Sequence, residues 1–183
     1  MADTSNIVGA FGYKFGETLS DDVMADCLEA EHCSVTPKAP YYAFSSYLVY
    51  LTDTKRRIYE ITGLGKPESF FECNAQAENV TRILTKKYGI KFETTEHEAP
   101  NGMLLNYWNA TIGNPPTGLY AMNKEVTDTT KSVTVLCHDY SGIDGWTGGG
   151  TLNLSPVTIT IRYKNNAVIT LENLELRMDE RGL

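Results

Sequence analysis

Apolar positions in this chain recur with two periods, and each period marks an element. From 70 to 88 the period is helical: Phe70, Cys73, Ala77, Val80, Ile83 and Leu84 share one stripe. Ser69 followed by Glu72 matches a capping box, Lys86 and Lys87 suit the negative end of the helix dipole, and Gly89 supplies a left-handed stop. From 133 to 138 the period is two. Val133, Val135 and Cys137 fall on one strand face and Thr134, Leu136 and His138 on the other. Cys73 on the helical stripe and Cys137 on the inward strand face could therefore meet. Their bridge would close a long loop and contribute about 4 kcal/mol on the chain-entropy estimate.

The same reading extends along the rest of the chain. The segment 7–16, "IVGAFGYKFG", is expected to be a first strand that bends or packs closely at its glycines. Residues 18–28 suit a short helix with Ser20 as N-cap and Asp21 and Asp22 at its positive end. Cys27 and Cys33 flank the turn that leaves it, and a bridge there would close a short loop, contributing about 2 kcal/mol. "YYAFSSYLVYLT" and "RIYEITGL" on either side of a short polar loop predict a hairpin. "IKFETT" and "MLLNYWNATI" predict strands separated by a polar stretch from Glu96 to Gly102. A break at 113–118 precedes a short strand at "GLYAM" and a polar loop from Asn123 to Lys131. At the C-terminus, a three-residue Lys164–Asn166 loop would place Tyr163 opposite Ala167, Ile161 opposite Ile169 and Ile159 opposite Leu171. That register predicts a closing hairpin, with 173–183 as a polar, fraying end. The sum is an α+β pattern: one domain over 1–183, with a mostly antiparallel sheet, the 70–88 helix on one face and a short N-terminal helix.

Composition narrows the functional classes. The chain has 183 residues and a formal net charge of -7, which disfavours nucleic acid and anionic membranes as partners. No apolar run approaches the ~20 residues needed to cross a bilayer, so membrane insertion is not expected. The four cysteines form no CxxC pair, which argues against zinc and thioredoxin-like chemistry. An even cysteine number suits two disulfides in an exported protein, although four cysteines also fit free thiols in a cytosolic one. The polar start from Met1 to Asn6 then reads as that of a mature chain whose leader has been removed.

The run "ESFFECNAQAENVTRILTKKYGI", the "VTVLC" strand, the closing "ITIRY" and the opening "GAFGYKFGE" together resemble exported, periplasmic or secreted bacterial proteins of unknown function. The resemblance implies an exported α+β domain with a helix-to-strand disulfide. It brings no catalytic residues to carry over, and the 141–151 segment departs from its pattern.

Candidate chemistry concentrates in "CHDYSGIDGWTGGGT", 137–151. His138, Asp139 and Ser141 are the types of a hydrolytic triad. Neighbouring strand residues point to opposite faces, however, and no G-x-S-x-G elbow occurs. Gly148 to Gly150 are followed by no lysine, so they form no phosphate loop. His32 with Cys33, His97 with Glu96 and Glu98, and His138 with Asp139 all lack metal-ligand spacing, and neither a metal nor a cofactor is called for. Trp146 between Gly145 and Thr147 suits equally an exposed binding aromatic, with Tyr140 and Asp144 as polar neighbours, or a side chain that folds back to cap the core. Tyr41, Tyr42, Tyr47, Tyr50 and Tyr59 crowd the first hairpin, where they suit either an aromatic outer face or a sheet–helix seam, the seam being favoured for most. The expectation is an exported binding domain without catalysis, its partner another protein. A small hydrolase using His138 and Asp139, and a structural protein of the cell envelope, are the alternatives.

Overall fold

The computed structural model describes residues 7–25, 27, 31–99, 101–112, 130–142 and 156–180. Its strands are β1 Gly9–Ala10, β2 Tyr13–Lys14, β3 His32–Ser34, β4 Ser46–Leu51, β5 Ile58–Gly65, β6 Glu93–Glu98, β7 Leu104–Ile112, β8 Lys131–Asp139 and β9 Val157–Asn165. Its helices are α1 Asp21–Ala25, α2 Phe70–Tyr88 and α3 Asn166–Glu180. The strands from β3 onward form one sheet in the order β3-β4-β5-β9-β8-β7-β6, with every neighbouring pair antiparallel. The fold is α+β, with one main helix on the sheet, as the sequence pattern predicts.

Register explains where the core sits. Val133, Val135 and Cys137 of β8 pair with Tyr163, Ile161 and Ile159 of β9, and all six are buried. This apolar face carries α2, which turns Cys73, Ala77, Val80 and Leu84 toward it. Helix α2 is bounded as its sequence dictates. The Ser69 hydroxyl accepts from the Glu72 amide, the Glu72 carboxylate reaches back to the Glu68 amide at 2.7 Å, and Gly89 ends the helix at φ 67°. A disulfide joins Cys73 to Cys137 across 64 residues, and a second joins Cys27 to Cys33 across 6. The opposite sheet face carries Thr62, Thr134, His138, Thr160, Arg162 and Lys164. The sheet's edges are poor templates for further pairing: β3 is three residues long, and β6, with sequence ETTEHE, is exposed throughout and charged.

Five expectations are corrected. The closing hairpin is absent, and 166–180 forms helix α3 instead. Strand β9 is already hydrogen-bonded to β5 on one side and β8 on the other, so a return strand at 167–171 has no free edge to join. The asparagines act as caps: the Asn165 side chain accepts from the Ala167 amide, while Asn166 donates to the Thr130 carbonyl and hydroxyl oxygens. The fraying end therefore gives way to helix through Glu180. The opening strand is in fact a hairpin of β1 and β2 with Phe11 and Gly12 at its tip, because both tip residues have positive φ, 53° and 89°. The polar stretch taken to begin at Glu96 begins later, since Glu96, His97 and Glu98 pair with β7. Ile83 lies at the margin of the predicted stripe and is 41% exposed. The expected strand at "GLYAM" and most of the loop from Asn123 lie outside the described residues.

Candidate functional site

The apolar face is not covered uniformly. Between the β1–β2 hairpin and α2 lies a groove of about 440 Å³, lined by both elements, by the 39–44 segment and by Ile161 and Tyr163 of the sheet. Its walls follow from local sequence. Gly12 permits the tight tip of the hairpin, since a Cβ there would lie 2.4 Å from the Lys38 Cβ. Phe11 holds a left-handed backbone conformation that a bulky residue rarely adopts. Its ring is fixed against Phe44, Tyr47 and Tyr163 at 5.8, 4.8 and 5.8 Å between centroids, so packing maintains the backbone geometry. Across the groove, Val80, Ile83 and Leu84 supply the helix wall.

Polar atoms in the groove are few and specific. The Tyr47 hydroxyl, just behind it, is fully employed, accepting from the Tyr41 amide at 2.9 Å and facing the Tyr41 and Phe44 carbonyls. Tyr163 is different. It is 7% exposed and lines the groove, and its hydroxyl has no hydrogen-bond partner among the described residues. Burial, and then the neighbouring phenols of Tyr88 and Tyr41, push its ionisation far upward, so it is a neutral donor at every physiological pH. Tyr41 is pushed up to about 12, first by burial and then by its contact with Tyr42, while Asn79 donates to its oxygen at 3.3 Å. Two cations line the same groove. Lys87 lies 4.8 Å from the Tyr88 ring centroid, and Lys14 is an exposed side chain 3.5 Å from Glu17. The described lining residues include no carboxylate.

The sequence-derived candidates fare unevenly. Trp146 and Asp144 lie outside the described residues. Tyr140 is half-buried against the His138 ring, 5.5 Å away, and burial raises its phenol. His138 projects from the polar sheet face, where burial and then the Arg162 charge hold its imidazole below the ordinary range. Asp139 points elsewhere, accepting from the Ser141 amide at 2.8 Å to shape the turn. His138 and Asp139, the residues of the hydrolytic alternative, thus lie on opposite faces of this strand end. Of the hairpin tyrosines, Tyr47 is buried in the seam, Tyr42 is 73% exposed, and Tyr50 stands by His32 and Tyr59, with ring separations of 5.3 and 6.4 Å. Among the described residues, no three His, Cys, Asp or Glu side chains gather as metal ligands.

Sequence reasoning missed the groove. Tyr163 occupies an inward strand position that reads as core, and only its neighbours leave its oxygen unpaired. The residues "GAFGYK" read as one strand because no local signal distinguishes a bend from a complete reversal; the positive φ at Phe11 is a product of packing. Compared with known proteins, the chain matches no family model, no curated protein and no solved structure.

Proposed function

We propose that this chain is a non-catalytic binding domain working outside the reducing cytoplasm, and that the groove between the β1–β2 hairpin and α2 is where it holds its ligand. One observation carries this reading: a preformed, mostly apolar groove is lined by Tyr163, only 7% exposed, whose hydroxyl no described residue engages. A mostly apolar pocket with a single open polar group is suited to a ligand that pairs with that group. The divergence of His138 and Asp139 supports binding over hydrolysis. Both disulfides support an exported, periplasmic or secreted location, in keeping with the resemblance to exported bacterial proteins. Among the described residues no helix is long and apolar enough to cross a membrane.

The test uses Nile red, a neutral dye that brightens in apolar sites. Its fluorescence should rise on adding the protein, and Ile83→Glu should abolish the rise while the melting temperature stays within about 2 °C, because exposed positions tolerate charge. Absence of any rise, or a rise undiminished in Ile83→Glu, would overturn the groove as the ligand site. Capture of another protein through 141–151 is the second reading. It places the partner on the side of His138 and Tyr140, where a half-buried aromatic pair adjoins that segment. Tyr140→Ala should then release a partner isolated from the envelope fraction without changing Nile red binding.

A further inference from the structure

Resting on that reading, we infer that the groove accepts a single-chain amphiphile with an anionic head group, the Tyr163 hydroxyl donating to a head-group oxygen while Lys87 and Lys14 supply the opposing charge. Three independent features lead there. The volume, about 440 Å³, falls toward the lower part of the roughly 300–1,000 Å³ range of small-ligand sites, which suits one acyl chain better than two. The walls are aliphatic or aromatic along their length: Val8 and Ala10 on one side, Val80, Ile83 and Leu84 on the other, with Ile161 on the floor. Val8, 59% exposed, extends this apolar surface to solvent beside the hairpin.

The third feature is charge. The chain carries a net -7, yet this groove is lined by two lysines and by no described carboxylate, and Arg82 of α2 acts on the Tyr41 phenol beside it. Among the described residues, Lys14 is paired with Glu17 at 3.5 Å, both side chains being exposed, while Lys87 is in no described ion pair. A cationic site on an acidic protein selects anions from the surrounding medium. Tyr163 supplies the directional part of recognition. A phenol donating to a charged oxygen makes a strong hydrogen bond, and no described residue occupies this donor before binding. A cationic head would face Lys87, and a hydroxyl head would gain the hydrogen bond without the charge term.

The experiment displaces Nile red with dodecanoate, dodecanol and dodecylammonium, each below its aggregation concentration. Dodecanoate should displace the dye at about tenfold lower concentration than dodecanol, and dodecylammonium should be weaker than either. Tyr163→Phe deletes only the oxygen and breaks no hydrogen bond among the described residues, so it should fold normally, bind Nile red as before and lose about tenfold in affinity for dodecanoate. Lys14→Gln with Lys87→Gln should narrow the carboxylate preference by a few-fold and remove its dependence on salt. Equal displacement by all three amphiphiles, or dodecanoate affinity unchanged in Tyr163→Phe, would sink the anionic-head inference and leave the groove reading standing. Failure of Nile red to bind at all sinks both.

Discussion

Helix α2 meets the sheet through Cys73, Ala77, Val80 and Leu84, whereas α3 is anchored through Glu172. The first contact is apolar and covalent. The second is a carboxylate only 3% exposed, which takes a hydrogen bond from the Thr52 hydroxyl and two more from the Thr54 and Lys55 amides at 3.1 and 3.0 Å. The carboxylate thereby organises the turn between β4 and β5, and Thr52 passes the organisation on by accepting from the Arg57 amide at 2.9 Å. One turn further along, Glu175 pairs with Lys55 at 2.6 Å and Arg57 at 3.1 Å. The outer side of α3 leaves Leu171, Leu174 and Met178 exposed. A helix attached by an apolar stripe and a disulfide is indifferent to pH and salt. A helix attached by carboxylates is sensitive to both, and the two should be separable in solution.

The largest effect should come from unlinking α2. Replacing Cys73 and Cys137 together with serine should lower unfolding stability by about 4 kcal/mol, because a long loop regains its freedom in the unfolded chain. Urea unfolding with and without the substitutions measures it, and a loss below about 1 kcal/mol would show that the apolar stripe alone holds α2. Next in size is Glu172→Ala, which should remove about 3 kcal/mol by leaving two amides and a hydroxyl without their acceptor. Hydrogen exchange should quicken in α3 and the 52–57 turn while α2 stays protected. Equal quickening in both helices would erase the distinction drawn between them.

The smallest effect is acid sensitivity. Hydrogen bonds from Lys55 and then Arg57 hold the Glu175 carboxyl below its ordinary value of 4.5. A lowered folded-state pKa means that its stabilising contribution is complete above the unfolded value and is lost as pH falls through the folded one. Acidification below 4.5 should therefore loosen α3 before α2, and Glu175→Gln should flatten that part of the pH profile. A profile unchanged by Glu175→Gln would assign the acid response to another carboxylate.

Much of the fold was legible in the sequence because it rests on local signals. The stripe of α2, its Ser69 cap and Gly89 stop, the β4–β5 hairpin and the inward face of β8 are each written within a few turns or pleats of chain. Cys73 and Cys137 were brought together by two such signals combined, since a helical face and a strand face each point a sulfur toward the same seam. The candidate site was far less legible. Tyr140, His138 and Asp139 were singled out by residue type, and their strand explains why the last two diverge. Tyr163 attracted no notice, because an inward tyrosine on a strand reads as core whether or not its oxygen is satisfied.

By itself, then, the sequence determined the α+β class, the principal helix, the antiparallel pairing of its strands and the faces that carry the sulfurs, since these depend on periodicity and capping over short distances. Only the tertiary structure decided that 166–180 is a helix, because the neighbours of β9 occupy both of its edges, and no stretch of sequence states which strands flank it. It likewise decided that Phe11 turns the chain back and that the Tyr163 hydroxyl stands alone in a groove. Both depend on which distant residues arrive beside them, and a one-dimensional pattern carries no record of that arrival.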